Sequence, residues 1–228
     1  MPHPLLDLML DAAIAAAEPI MDVYSRPIMA THKADGSPVT EADQRAEAEI
    51  LERLAATGIP VLAEESVEAG RIPLLGERFF VVDPLDGTKE FLKRNGEFTV
   101  NIALVEAGRA VMGVVLAPAT GALYYGGPAG AFCGHLVEGA ASDVQSIHVS
   151  LTSPVRIVAS RSHGHAALAE LCQTLHVAED ITVGSSLKFC LLAQGDAAEE
   201  ERRPGRLGRH QGRSGADRGD EAGGQKGT

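Results

Sequence analysis

Two aspartates, Asp83 and Asp86, lie in the segment Phe-Phe-Val-Val-Asp-Pro-Leu-Asp-Gly-Thr-Lys-Glu-Phe-Leu at 79–92. The apolar residues before them predict a β-strand, and the residues after Thr88 predict a short helix. Carboxylate and carbonyl oxygens are the ligands of hard divalent cations, which keep open positions for water and phosphate. The pair therefore predicts a metal and phosphate site at the carboxyl end of a strand. Taken alone, the same residue types would also suit an ordinary turn with an aspartate cap.

The residues around the two aspartates predict how a phosphate would be held. Pro84 is expected to end the strand ladder, and Thr88 is expected to cap a helix from Lys89 to Lys93. Gly87 allows a close approach of the backbone to a ligand. The N–H groups of residues 87–89 would then suit a phosphoryl oxygen.

A second acidic group follows a second apolar run. The run Val-Leu-Ala at 61–63 precedes the adjacent glutamates Glu64 and Glu65. Neighbouring carboxylates repel one another unless a cation screens them. Glu64 is therefore a candidate bridging ligand, and Glu65 is a candidate for orienting a water. For Glu65, a solvated acidic loop is the alternative.

The segment Ser-Pro-Val-Thr-Glu-Ala-Asp at 37–43 predicts the start of a helix. The apolar face of that helix is predicted to contain Ala46, Ile50, Leu51 and Leu54. Thr40 and Asp43 have the spacing of a capping box, which by itself explains both residues. The functional alternative is that Asp43 accepts a hydrogen bond from the Thr88 hydroxyl, so that Thr88 can take a proton from a water.

Together, these segments resemble the inositol monophosphatase superfamily of magnesium-dependent, lithium-sensitive phosphatases. The resemblance rests on Asp-Pro-Leu-Asp-Gly-Thr at 83–88, on the Glu-Glu pair and on Thr-Glu-Ala-Asp at 40–43. Residues 89–104 and Gly-Ser-Ser-Leu-Lys-Phe-Cys at 184–190 are most similar to the bacterial 3′(2′),5′-bisphosphate nucleotidase branch. The resemblance covers residues 5–197 and implies a layered α/β (α+β) sugar-phosphatase fold, of the inositol monophosphatase and fructose-1,6-bisphosphatase type, that is incomplete at its C-terminal side.

The resemblance implies a set of metal ligands. Glu64, Asp83 and the carbonyl of Leu85 would hold one Mg²⁺, and Asp83 with Asp86 would hold a second. Glu65 would support a third ion or the nucleophilic water. About two or three ions are expected, and Mn²⁺ is a candidate substitute for Mg²⁺.

The resemblance also implies catalytic and substrate-binding residues. Asp43, Glu65 and Thr88 would activate the attacking water. The implied substrate-binding residues are Glu64, Leu85, Asp86, Gly87, Thr88, Lys89, His163, Ser185 and Lys188. The last three match nucleotide contacts in related enzymes, although a lone histidine after a strand and a solvated helical lysine also have structural explanations.

The implied activity is hydrolysis of the 3′-phosphate of adenosine 3′,5′-bisphosphate to AMP, in sulfate assimilation and nucleotide recycling. The 5′-phosphosulfate analogue is a second candidate substrate. Two alternatives stay open, an inositol monophosphatase and an inactive protein that binds a phosphonucleotide.

Composition limits the partners of the chain. The formal net charge is −11, so a protein that handles phosphate needs cations as mediators, and a nucleic acid polymer is an unsuitable partner. Three cysteines without a Cys-x-x-Cys spacing predict free thiols in a reducing cytoplasm. No segment is expected to span a membrane, which leaves the cytoplasm or attachment to the inner face of the membrane. A monomer or a homodimer is expected.

The chain is predicted to contain an N-terminal α+β metal-binding subdomain over residues 1–150 and a partial C-terminal α/β subdomain over 151–198. Pro19 is expected to kink or end the first helix. An antiparallel meander is predicted from the alternation of apolar residues over 98–104 and the three apolar runs that follow.

Residues 199–228 differ from the rest of the chain. They contain eight glycines and only three apolar residues, Leu207, Ala216 and Ala222, so disorder is predicted. Members of the family instead continue into a Trp-Asp motif whose aspartate completes the second metal site, and this chain has no tryptophan. A shifted reading frame would explain the difference. Loss of that ligand predicts impaired turnover.

Overall fold

The computed structural model describes residues 3–33, 38–149, 156–160 and 179–195. Two long helices, α1 (Pro4–Tyr24) and α2 (Glu41–Ala55), pack against each other and on a large sheet. Between them, β1 (Ala30–His32) and β2 (Pro38–Thr40) form a short antiparallel pair. This arrangement of helices on a sheet confirms the predicted layered α+β class.

The large sheet has seven strands, which lie side by side in chain order. They are β3 (Val61–Ala63), β4 (Arg78–Asp86), β5 (Thr99–Glu106), β6 (Arg109–Ala117), β7 (Ala122–Gly127), β8 (Gly130–Val137) and β9 (Ala140–Ile147). Strands β3 and β4 are parallel, and every other neighbouring pair is antiparallel. The predicted meander is therefore confirmed, with β9 as an additional strand.

A second, parallel pair consists of β10 (Arg156–Ser160) and β11 (Glu179–Val183). Three short helices complete the described structure: α3 (Glu64–Glu68), α4 (Thr88–Leu92) and α5 (Leu187–Ala193). The predicted substrate-binding residue His163 and the tail at 199–228 lie outside the described residues. Among the helices of the described ranges, none has the combined length and hydrophobicity of a transmembrane segment.

The main core lies between the sheet and the two long helices. Val100, Ile102 and Leu104 alternate along β5 and, with Phe98 just before the strand, are almost fully buried. Small alanines on α1 and the apolar face of α2 pack against them. Burial of this surface stabilises the fold by about 25 cal/mol for each square ångström removed from water.

The first helix does not end at Pro19, so that part of the prediction is wrong. Helix α1 continues through Pro19 to Tyr24. Proline removes one N–H donor from the helix, and its ring crowds the carbonyl of the residue four positions earlier. Ile20 and Val23, which follow it, are buried in the core, and this burial offsets the lost hydrogen bond.

Candidate active site

Asp83 and Asp86 lie on the same face of β4 because the strand contains a β-bulge. Asp83 pairs with Asn101 on β5, and Asp86 pairs with Thr99, so β4 has one extra residue between the two pairs. Paired residues on antiparallel strands point to the same face, and residues two apart on one strand share a face. In an unbroken strand, the two aspartates would point to opposite faces. The bulge therefore brings the two carboxylates together.

The prediction that Pro84 ends the strand ladder is wrong, because β4 runs on to Asp86. Pro84 lies in the bulge, where the ladder does not require its missing N–H. The next residue, Leu85, donates its N–H to Oδ1 of Asp83 at 3.2 Å. The bulge thus orients Asp83 as well as re-aiming Asp86.

Thr88 does not cap α4, contrary to prediction. Gly87 occupies the N-cap position with φ of 92°, a left-handed conformation that favours glycine, and α4 begins at Thr88. The Thr88 hydroxyl is shared between Oδ1 of Asp43 and the carbonyl oxygen of Leu85, each at 3.3 Å. Both partners are acceptors, so the lone pairs of the Thr88 oxygen are left to accept from a water.

Asp43 has a structural contact and a second contact that capping does not explain. Its Oδ2 accepts hydrogen bonds from the Thr40 N–H at 2.8 Å and from the Thr40 hydroxyl at 2.7 Å. Its Oδ1 accepts from Thr88. Asp43 is buried, and burial raises the pKa of its carboxyl although the hydrogen bonds with Thr40 lower it. The capping and functional explanations are therefore compatible, one on each oxygen.

Lys33 contacts the predicted acidic group, and sequence reasoning did not find it. Its Nζ lies 2.7 Å from Oε1 of Glu64, 2.8 Å from Oε1 of Glu65 and 3.0 Å from Oε1 of Glu68. The Lys33 side chain is only 7% exposed. Burial by itself would lower the pKa of Lys33, but the three glutamates more than offset this effect and raise the pKa above its ordinary value.

Glu47 is a second residue that sequence reasoning missed. It is buried on α2, where its carboxylate accepts the Glu65 N–H at 2.8 Å and the Ser66 hydroxyl at 2.6 Å. These bonds fix the start of α3 and therefore the backbone that carries Glu64 and Glu65. Burial also raises the pKa of Glu65, against the lowering effect of Lys33. The apolar pattern of α2 gave no signal for a buried glutamate.

The electrostatics around Asp83 suit a divalent cation. Burial raises the pKa of Asp83 to about 8, and the nearby carboxylates of Glu64 and Asp86 contribute further. Together with the Leu85 carbonyl, these groups form an oxygen-only donor set, which is the set that Mg²⁺ and Mn²⁺ prefer. The chemistry of the donors therefore fits the predicted ion.

The side chains are not arranged as a closed cage. Within the described parts of the chain, no three carboxylate, imidazole or thiol groups lie close enough to enclose an ion. Glu64 is paired with Lys33, and Asp86 accepts a 2.6 Å hydrogen bond from Ser186. Binding of a cation would therefore require Glu64 to exchange its lysine partner for the ion.

The predicted substrate residues are only partly brought together. Ser185 is buried, and its Cβ would lie 3.2 Å from a Cβ placed on Gly87. Lys89 is exposed. Lys188 donates from Nζ to the carbonyl oxygen of Ser185 and lies 5.1 Å from the ring centre of Phe189, so it folds back on its own segment. The structure thus brings Ser185, but not the Lys188 ammonium, to the predicted phosphate segment.

A groove of about 560 Å³ extends from the acidic site along the sheet. Most of its lining is apolar and comes from β5, β6 and β7. Its polar end is formed by Asp83, Asn101 and Ser186. The groove therefore reaches the predicted metal ligand Asp83 at this end.

Solved structures define the class of the fold. CysQ from Bacteroides thetaiotaomicron, a bacterial member of the inositol monophosphatase family, matches with a TM-score of 0.70 and 36% identity, covering 85% of this chain and 78% of that one. An inositol monophosphatase from Thermotoga maritima has a TM-score of 0.70 at 22% identity, over 86% of this chain and 74% of that one. The fold is therefore the inositol monophosphatase fold.

The sequence model of the inositol monophosphatase family matches residues 1–199. The chain therefore belongs to this family. The 3′(2′),5′-bisphosphate nucleotidase CysQ of Salmonella typhimurium is 44% identical over 200 residues, which cover 85% of this chain and 78% of that protein. The protein of the same name in Escherichia coli is 42% identical with the same coverage. The predicted family is confirmed, and the chain is a phosphatase by family.

Proposed function

We propose that the chain is a divalent-cation-dependent phosphomonoesterase that hydrolyses the 3′-phosphate of adenosine 3′,5′-bisphosphate to AMP. The observation that supports this reaction type is the hydrogen bond from the Thr88 hydroxyl to Asp43. Thr88 lies on the segment that also holds Asp83 and Asp86. The names of the CysQ relatives at 42–44% identity support the substrate. The 5′-phosphosulfate analogue is a second proposed substrate, and the cytoplasm is the proposed location.

Thr88 and Asp43 would supply the base. A water that donates to Oγ1 of Thr88 loses its proton to that oxygen, while the Thr88 hydroxyl proton moves to Oδ1 of Asp43 across 3.3 Å. The raised pKa of Asp43 makes its carboxylate a stronger base than an exposed aspartate. The two hydrogen bonds from Thr40 hold the other oxygen in place during the transfer.

Glu64, Asp83, Asp86 and the Leu85 carbonyl are the groups that would hold Mg²⁺. When bound, the ion would neutralise negative charge on the phosphate and lower the pKa of the attacking water. Glu65, whose backbone is fixed by Glu47, would orient that water or support a further ion.

The substrate would contact two segments. Gly87, Thr88 and Lys89 are proposed to line the phosphate that is hydrolysed. Ser185 and Lys188 are proposed to contact the nucleotide and its second phosphate, as is His163. Lys188 would then leave the Ser185 carbonyl to meet the substrate.

Phosphate release from purified protein tests the proposal. Adenosine 3′,5′-bisphosphate and inositol 1-phosphate are compared with and without Mg²⁺, and the products are identified by chromatography. We expect AMP formation that depends on Mg²⁺ and exceeds hydrolysis of the inositol ester. A preference for the inositol ester would contradict the substrate. Nucleotide binding by calorimetry without turnover would instead support the inactive binding protein, and slow turnover would fit the impairment predicted from residues 199–228.

A further inference from the structure

Two side chains, those of Ser186 and Asn101, hold the carboxylate of Asp86. Ser186 donates its hydroxyl to Oδ2 of Asp86 at 2.6 Å. The Asn101 amide donates to the Ser186 hydroxyl oxygen at 3.0 Å and to the same Oδ2 at 3.4 Å. The three side chains form a closed triangle that ends on one carboxylate oxygen. A carboxylate held by donors on one oxygen keeps a defined orientation for its other oxygen.

The triangle joins distant parts of the chain. Asp86 and Asn101 lie on adjacent strands, and Ser186 lies 100 residues after Asp86, just before α5. Asn101 is opposite Asp83 in the ladder, so it is also beside the other proposed ligand. The side chain that completes the triangle therefore comes from a segment that must dock on the sheet.

The segment that carries Ser186 is seated firmly on the site. The Gly184 N–H donates to Oε2 of Glu97 at 2.8 Å. A Cβ on Gly184 would lie 2.6 Å from Cγ of Glu90, so the backbone approaches α4 as closely as glycine allows. Ser185 adopts a left-handed φ of 50° next to Gly87. This packing fixes where the Ser186 hydroxyl points relative to Asp86.

We propose that Ser186 and Asn101 are positioning residues that fix Oδ2 of Asp86 and so prepare its carboxylate for a divalent cation. This inference rests on the proposed function, because it assigns a support to one of the proposed metal ligands. Ser185 and Lys188, proposed to contact the nucleotide, lie on the same segment as Ser186. The metal site and the nucleotide contacts would therefore depend on one docked segment.

Mn²⁺ binding to the purified full chain, measured by electron paramagnetic resonance without substrate, tests the inference. We expect Ser186→Ala to weaken Mn²⁺ binding about tenfold, and Ser186→Thr, which keeps the hydroxyl, to bind within about twofold of wild type. Ser146→Ala, an exposed serine on β9 at the far edge of the sheet, is the control and should bind as wild type. Thermal unfolding of each variant in the absence of Mn²⁺ shows whether the fold is kept.

Equal Mn²⁺ affinity of wild type and Ser186→Ala would overturn the inference and leave the proposed function standing. A wild-type protein that binds no Mn²⁺ would contradict both. Ser186→Thr behaving like Ser186→Ala, with an unchanged unfolding temperature, would also overturn the role of the hydroxyl. A selective loss in Ser186→Ala, restored in Ser186→Thr, would support it.

Discussion

The hydroxyl of Thr88 lies 3.3 Å from Oδ1 of Asp43, although the two residues are 45 positions apart in the chain. The contact joins the start of α2 to the start of α4. It exists because Gly87, and not Thr88, takes the cap position of α4. A threonine that capped its own helix would use its hydroxyl oxygen as an acceptor for that helix, and could not serve a water equally well.

Substitution of Thr88 should separate catalysis from folding. Thr88→Ala removes the hydroxyl that relays the proton, so we expect the rate of phosphate release to fall by about a hundredfold or more. Thr88→Ser keeps the hydroxyl and should retain most of the activity. Steady-state kinetics on both variants at saturating Mg²⁺ provide the comparison. Equal rates for wild type and Thr88→Ala would rule out the proposed relay.

Substitution of Asp43 should separate its capping contact from its proposed role as a base. Asp43→Asn keeps an oxygen that can accept from Thr40 but is not a base, so the unfolding free energy should change by less than about 1 kcal/mol while activity is lost. Asp43→Ala also loses the acceptor for the Thr40 N–H and hydroxyl, and should cost about 1 kcal/mol more. Urea unfolding and phosphate release are measured on both variants. An active Asp43→Asn protein would exclude Asp43 as the base.

The pKa of Asp83 predicts how the stability of the metal-free protein depends on pH. In the folded state this pKa is raised to about 8 from an ordinary value of 3.8. Between these values, the folded carboxyl binds more protons than the unfolded one, so the free energy of unfolding falls as the pH rises toward 8. Mg²⁺ binds the deprotonated form and should offset this fall. Asp83→Asn should reduce both effects.

Thermal unfolding at several pH values, with EDTA or with Mg²⁺, tests this dependence. Wild type and Asp83→Asn are compared under the same conditions, so that the other titrating groups are matched. If the two proteins lose stability equally between about pH 5 and pH 8 without metal, Asp83 is not the group responsible.

Removal of the Lys33 ammonium should leave three glutamates without their cation. We expect Lys33→Met to lower the unfolding free energy of the metal-free protein by about 2 kcal/mol, because Glu65 would be left partly buried and unpaired. Mg²⁺ should restore part of this stability by supplying a replacement cation. Arg53→Met, which removes an exposed ion pair with Glu49, is the control and should have a small effect. A Lys33→Met protein as stable as the control without metal would contradict the prediction.

The sequence predicted the main layer of the fold because its signals are local. Alternation from Phe98 to Leu104 identified β5 and its buried face, and the apolar face of α2 was also correct for Ala46, Ile50 and Leu54. Strand β9 was missed because half of its residues are polar and most are exposed, so neither face carries an apolar pattern. Pro19 was misjudged because its cost is local, whereas the burial that offsets it comes from the tertiary structure.

Residue types near the site could be predicted, but their relative orientation could not. A spacing of three between Asp83 and Asp86 does not reveal a bulge, and a capping-box pattern does not reveal that the second oxygen of Asp43 is used elsewhere. Lys33 follows a short strand in a polar segment and has no periodic signal. The triangle of Asp86, Asn101 and Ser186 depends on the docking of a distant segment, which no local pattern encodes.

An anomalous difference map from crystals of the full chain soaked in Mn²⁺ would show directly whether these carboxylates hold a divalent cation. We expect Mn²⁺ density about 2.0–2.6 Å from oxygens of Asp83 and of Glu64 or Asp86, with the Lys33 ammonium displaced from Glu64 where that residue binds the ion. Mn²⁺ density only at other positions, with Asp83 free of metal above its pKa, would contradict this expectation.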